Sequence, residues 1–441
     1  MKLYLPAFSL KILPEVTFLL LLFLFPLFGF LIYRGAGMEP IFALGLFCLV
    51  FIAYRCICIW KNEEHIVLPH YLIIYGVFVV YAVVSNIIVD PQAFLDEGLI
   101  KVLYSNSILL TFYGLFIVEN TVFPRYWLNI GVKILGVSLL LGAVVSVIQI
   151  KDPLFFARNI YVKGLTFEQL VEYYNSHGYE STARIRRFLT GYRNSIFSYI
   201  NLASVGIDGI AIFSLLIAIK TKGKFQILFF IILSGLISFL SSSRWIMLNF
   251  LIVASQSVWL SKNKVSGILQ FVVYGFGILT LLTIGLYVIG FDIEGFIENR
   301  LMSESADTRF LAFEVFGRVF PENPIFGTGG TDTELMVELL GGQSSQIHVG
   351  YLKLFYYYGL IGGVLYIGFL GAFLIRTWKM AKVSNYWGGF FALFAFAMIN
   401  LTLFELSLFY YGLMLAIIFA NHFYREEKQN VNMVLANKKN F

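Results

Sequence analysis

Arginine is the residue type whose placement in this chain asks for a chemical reason. Arg244 stands between two apolar stretches in "GLISFLSSSRWIMLNFLIV" (235–253), directly behind Ser241, Ser242 and Ser243. Arg193 follows Arg184, Arg186 and Arg187 just ahead of another apolar run. A guanidinium is a planar fork that donates paired hydrogen bonds to phosphate oxygens. Several on one face repel one another unless an anion sits among them. The pattern points to a phosphorylated or diphosphate-linked lipid; the plainer readings are an interfacial anchor for Arg244 and a solvated basic loop for the cluster. His348, in "SSQIHVGYLKLFYYYGLIGG" (344–363), is the candidate base, because imidazole exchanges a proton near neutral pH. Tyr351, three residues on, shares its helical face. A histidine at a membrane boundary can equally be interfacial only.

Other chemistries find no footing. There is no outer D-x-D, no H-E-x-x-H, no phosphate-binding Walker loop and no glycine-rich dinucleotide turn. Cys48, Cys56 and Cys58 lie in or beside one apolar run, a poor pattern for a metal site or a disulfide framework. No metal and no cofactor is expected. Asp208 is the one acid expected deep in a span.

The elements that must carry these residues are membrane helices. Of 441 residues, 59% are hydrophobic and 13% charged, against roughly 25% charged in soluble proteins. Apolar runs recur at about the 17–25 residues that a helix needs to cross hydrocarbon. Candidate spans fall at 16–33, 40–60, 70–89, 100–118, 128–149, 196–219, 225–241, 245–260, 266–290, 347–375, 386–403 and 406–421. The expectation is an all-α polytopic membrane protein of about twelve spans, the first retained and not cleaved.

Lysine and arginine in short loops set the orientation. With the N-terminus inside, eighteen cations flank the inner ends, among them Arg55, Arg125, Arg376 and Arg425, while Arg34, Lys101 and Arg244 alone sit in short outer loops. Both termini are then cytoplasmic, and Arg244 lies on the outer face against the rule. The net charge of +6 reports topology here and gives no reason to expect nucleic acid. The chain divides into N-terminal helices (1–149), a first long outer, periplasmic loop (150–195), central helices with the Ser/Arg stretch (196–290), a second long outer loop (291–346), C-terminal helices (347–421) and a polar cytoplasmic tail (422–441). The second loop bears Arg309 and Arg318 in "ADTRFLAFEVFGRVF" (306–320), where Phe310, Phe313, Phe316 or Phe320 recur at the spacing of an amphipathic helix. "PENPIFGTGG" then ends it.

Three pieces together resemble the O-antigen polymerase (Wzy) and O-antigen ligase superfamily. "YRNSIFSYINLAS" places Arg193, Phe197 and Asn201 on one motif, and "FLSSSRWIML" places Ser241, Ser243 and Arg244 on a second. "NPIFGTGG" with the His348 helix start places Asn323, Pro324, Gly327, Gly329, His348, Tyr351, Gly359 and Gly362 on a third. The resemblance covers roughly 190–365. Ile200 stands where the family often has Pro, and Val349 where it usually has Asn.

The resemblance implies a GT-C-like membrane glycosyltransferase, inverting and metal-independent, in the cell inner (cytoplasmic) membrane. Its partners would be undecaprenyl-diphosphate-linked glycans and membrane lipid, with a chain-length regulator and a flippase as further candidates. Arg193 and Arg244 would stabilise charge on the departing diphosphate, and His348 would orient or deprotonate the acceptor hydroxyl. Arg184, Arg186 and Arg187 would hold the growing glycan's diphosphate. Asn201, Ser243, Arg309, Arg318 and Tyr351 complete the expected substrate surface. Polymerase is the leading reading, transfer of a finished chain to lipid A-core the alternative, and a lipid-linked oligosaccharide flippase or transporter the third.

Overall fold

The computed structural model describes residues 19, 40–61, 66–92, 108–151, 169, 172, 213, 215–219, 223–240, 244–256, 258, 264–288, 290, 307–330, 338–339, 349–401, 406–408 and 410–439. Among them the regular structure is helical. The helices are α1 (Pro40–Lys61), α2 (His70–Val89), α3 (Ile108–Asn120), α4 (Arg125–Lys151), α5 (Lys224–Leu240), α6 (Arg244–Ala254), α7 (Lys264–Val288), α8 (Asp307–Val319), α9 (Gly350–Ser384), α10 (Gly388–Ile399) and α11 (Tyr411–Lys439). Two of these, α2 and α9, are long and apolar enough to cross a membrane. Shorter apolar helices run over Ile108–Asn120, Phe225–Leu236 and Gly388–Ile399. The expected count of about twelve spans extends over residues outside the described set.

Why α2 forms is legible in its composition. Its 20 residues reach about 30 Å at 1.5 Å per residue, the thickness of a hydrocarbon core. Tyr71, Leu72, Tyr75, Phe78, Ala82, Ser85 and Asn86 are buried at helical spacing. The opposite face, with Ile73, Val77, Val80, Val84 and Ile87, is apolar and exposed. Polar groups face inward and branched aliphatics outward, the arrangement that suits lipid and not water.

The α2–α9 pair is an antiparallel aromatic zipper. Tyr71 stacks on Phe373 at 4.2 Å between centroids, Tyr75 meets Phe369 at 4.5 Å, and Phe78 meets Tyr366 at 5.3 Å and Tyr358 at 5.4 Å. As α2 advances, its partners step back along α9. The outer face of α9 is again aliphatic, through Leu360, Val364, Ile367 and Ile375.

One end of the bundle is organised by arginine. Helix α3 ends at Asn120, and its last carbonyls lack intrahelical donors. Arg425 donates to the Glu119 carbonyl at 2.7 Å and the Thr121 carbonyl at 3.0 Å. Arg55 donates to the Asn120 carbonyl at 2.8 Å. The Glu119 carboxylate, 1% exposed as a residue, takes a two-point contact from Arg376 at 3.0 and 2.5 Å and a bond from the Tyr71 hydroxyl at 2.7 Å. Asn120 pairs with Val67 through both backbone groups, at 2.7 and 3.1 Å. Arg125, which opens α4, lies 3.4 Å from Glu426 on α11.

Two elements depart from the expected boundaries. Residues 406–408 are buried without helical structure. Their backbone is satisfied from elsewhere: the Tyr366 hydroxyl donates to the Leu406 carbonyl at 3.0 Å, and the Leu408 N–H donates to Thr111 Oγ1 at 2.9 Å. Helix α11 therefore starts at Tyr411 and continues through the polar stretch after Asn421 to Lys439.

Candidate functional site

At the end of the bundle away from Glu119, helix α9 is broken. Gly359 has φ +62° and ψ −169° inside an otherwise continuous helix. A break frees carbonyls and an N–H at membrane depth, where each must find a partner. The segment "NPIFGTGG" supplies them. The Leu360 N–H donates to the Pro324 carbonyl at 2.7 Å, the Thr328 N–H to the Tyr356 carbonyl at 3.0 Å, and the Gly330 N–H to the Tyr357 carbonyl at 3.1 Å. A Cβ on Gly327 would lie 2.4 Å from the Tyr356 carbonyl oxygen, so only glycine allows this approach.

Helix α2 grips the same segment from the other side. The Tyr81 hydroxyl donates to the Ile325 carbonyl at 2.6 Å, Ser85 Oγ to the Phe326 carbonyl at 2.6 Å, and Asn86 Nδ2 to the Gly329 carbonyl at 2.8 Å. Tyr81 also stacks on Phe326. The Asn-Pro-x-x-Gly-x-Gly element and Gly359, two separate sequence signals, are thus two halves of one backbone clamp.

Above the clamp, α9 begins at Gly350, two residues after His348. Tyr351 fixes this start to the end of α10: its N–H donates to the Asn400 carbonyl at 3.1 Å and its hydroxyl to the Ala397 carbonyl at 2.8 Å. Helix α6, which opens at Arg244, packs against α10 as well. The helix that opens at Arg244 and the helix that begins at Gly350 therefore share α10 as a neighbour.

Helix α8 packs on α9 through Ala312, Val315 and Val319, which are buried at positions i, i+3 and i+7. Phe316 belongs to this seam and stacks on Phe320 at 4.7 Å. Phe313, expected as a candidate for the apolar face, is exposed on the opposite side. Arg318 also faces out and pairs with Glu314 one turn back, so it meets any anion already partnered.

Of the expected site residues, Tyr351 and Arg318 are placed with their side chains. Arg244 and Arg309 are placed as the first residue of α6 and the third of α8. Arg184, Arg186, Arg187, Arg193, Asn201, Ser243 and His348 lie outside the described residues. Sequence reasoning missed Tyr81, Ser85, Asn86, Glu119 and Lys353. Lys353 is buried in the first turn of α9, with its ammonium 4.6 Å from the Tyr357 ring centre. A lysine inside an apolar run was the available signal for it. Among the described residues no His, Cys, Asp and Glu group could hold a metal ion.

Helices long and apolar enough to cross a membrane, one of them broken at Gly359 and clamped there, fit an integral membrane protein. Within it, residues 227–367 match the Wzy_C family model, described as O-antigen ligase. That match is consistent with the Wzy and O-antigen ligase superfamily and covers about a third of the chain. It takes in Arg244, the clamp, His348, Tyr351 and Gly359, and leaves out Arg193 and the α2 residues that hold the clamp. No curated protein matches the chain.

Proposed function

We propose that this protein is a membrane glycosyltransferase that polymerises undecaprenyl-diphosphate-linked oligosaccharide repeats into a surface polysaccharide at the outer face of the cytoplasmic membrane. The observation that carries the reading is the family match over 227–367, which contains the motif pieces that interlock around Gly359. Polymerase is favoured over ligase because both long outer loops bear arginines, as two lipid diphosphates would require. The matched family's description, O-antigen ligase, keeps transfer of a finished chain to a lipid acceptor as the second reading.

In the proposed step the acceptor hydroxyl oxygen attacks the anomeric carbon of the donor sugar. The bond from that carbon to the phosphate oxygen breaks, and undecaprenyl diphosphate departs with the electron pair. The acceptor proton passes to His348. Arg193 and Arg244 are the fixed cations for the departing diphosphate; such preorganised charge lowers a barrier without a metal. Arg184, Arg186 and Arg187 are the candidates for the second diphosphate. The distribution of lysine and arginine supports chemistry on the outer face, with both termini in the cytoplasm.

The test is reconstitution of purified protein with undecaprenyl-diphosphate-linked repeats. Elongated product, lost in Arg244→Ala and His348→Ala at equal protein level, is the expected result. In a deletion strain, polymerase loss leaves single repeats on the surface, whereas ligase loss leaves chains on the carrier. Wild-type ladders in both variants would overturn the site assignment.

A further inference from the structure

The start of α9 and the end of α10 meet, and one residue closes both. The first N–H groups of a helix lack intrahelical acceptors, and the last carbonyls lack donors. Val349 precedes α9 and gives it no side-chain cap, since an aliphatic side chain has no acceptor to offer. Helix α10 ends at Ile399, with the buried Asn400 behind it. Tyr351 joins the two ends: its N–H donates to the Asn400 carbonyl at 3.1 Å and its hydroxyl to the Ala397 carbonyl at 2.8 Å. A donor at the start of one helix and two carbonyls at the end of the other are thus satisfied through a single residue.

The stretch that begins at Gly350 is fixed at its far end as well. It runs into the break at Gly359, where the Tyr356 and Tyr357 carbonyls accept from the Thr328 and Gly330 N–H groups of the clamp. A helical segment bonded at both ends is held in one place relative to its neighbours. One of these, α10, also packs against α6, which opens at Arg244. His348 stands two residues before Gly350 in the chain, and covalent geometry keeps its Cα within about 7 Å of the Gly350 Cα. A tyrosine hydroxyl has one proton to donate, and Tyr351 commits it to Ala397. That commitment suits a residue that fixes backbone and not one that donates to a phosphate oxygen.

We propose that Tyr351 is a positioning residue for glycosyl transfer: through its two bonds to the end of α10 it fixes the start of α9, and with it the backbone that leads to His348. It then acts on the reaction through His348 and does not belong to the substrate surface where the motif alone would put it. The inference rests on the reading of His348 as the reacting imidazole, so its test includes a measurement that needs no turnover.

The experiment uses the full chain in mild detergent, with its histidines isotopically labelled and read by NMR. The His348 signal is assigned by its loss in His348→Gln. Tyr351→Phe keeps the ring and the backbone N–H and deletes only the hydroxyl bond to Ala397. The His348 signal is expected to move in Tyr351→Phe, at a temperature below the unfolding midpoints of both proteins. Tyr126→Phe, an exposed position at the arginine end, should leave that signal in place. With undecaprenyl-diphosphate-linked repeats, kcat for elongation should fall about tenfold in Tyr351→Phe, the scale of one hydrogen bond lost from a positioned group, while KM stays unchanged. If the wild type elongates nothing and the signal still moves, the positioning holds and the polymerase reading is the one that falls. An unmoved His348 signal overturns the proposal, and so does a wild-type kcat or an effect confined to KM.

Discussion

Gly359 and Ile325 meet backbone to backbone: a Cβ on Gly359 would stand 1.9 Å from the Ile325 carbonyl oxygen. The contact is closed from both sides, because Gly359 also has the left-handed φ that L side chains rarely adopt. Gly359→Ala is therefore expected to destabilise the protein by at least the roughly 1–3 kcal/mol of a strained backbone position. The added clash with the Ile325 carbonyl increases that. Thermal unfolding of the detergent-purified variant measures it, and a wild-type midpoint would mean that the clamp yields freely.

Ser85→Ala and Asn86→Ala each remove one donor from a carbonyl of the clamp. A polar group left without its partner in a buried site costs about 1–3 kcal/mol. Both variants should unfold at lower temperature, because Ser85 and Asn86 are both fully buried. If the clamp positions His348, elongation should fall at unchanged protein level with the larger effect on kcat than on KM. A change in stability alone would confine α2 to a structural role.

The clamp shows what the sequence could and could not disclose. Gly327, Gly329 and Gly359 were visible as motif positions, and α2 coincides with the expected span 70–89 because a run of apolar residues bounded by Pro69 and Asp90 has one physical reading. The partners of the motif were not visible. A serine or asparagine inside an apolar run discloses no distant carbonyl, and those carbonyls lie more than 240 positions away. The start of α11 was missed for a similar reason. Leu406–Leu408 looks like span, yet its backbone is bonded to Thr111 and Tyr366. Arg55, Arg376 and Arg425 were read only as orientation markers, since nothing local in the sequence joins them to Glu119.

Arg376→Ala should be among the more damaging single substitutions at the arginine end. It leaves the buried Glu119 carboxylate without its two-point partner, and breaking a buried pair from one side costs about 3–5 kcal/mol, toward the lower figure here because Arg376 is partly exposed. Glu119→Gln should cost less, since the amide can still accept from Tyr71. The Glu119→Gln, Arg376→Ala double variant is expected to be more stable than the sum of the single losses. Unfolding midpoints of the four proteins complete the cycle, and simple additivity would dissolve the pair.

His422 gives the protein a pH response. Burial pushes its imidazole below the ordinary value of 6.5; Glu426, 3.3 Å away, opposes this while Arg125 and Arg425 add to it. Between the lowered folded value and 6.5 the unfolded chain binds more protons than the folded one. Stability is therefore unaffected by this group above about pH 6.5 and falls as the pH drops through that window. His422→Gln should flatten the midpoint-against-pH curve there and leave it unchanged near pH 8. An unaltered slope would assign the response to another group.

The three bonds from α2 to the clamp span 244, 241 and 243 positions of chain. At roughly 5–20 residues per second, ribosomal synthesis separates the two partners by about 10–50 s. Helix α2 thus enters the bilayer long before the segment that bonds to Ser85 and Asn86 exists. During that interval two polar side chains wait in hydrocarbon for a partner not yet made. Biogenesis of this protein is then ordered by translation: insertion comes early, consolidation of the helix pair comes late, and a nascent chain stalled ahead of Gly330 is the form most exposed to quality-control proteolysis.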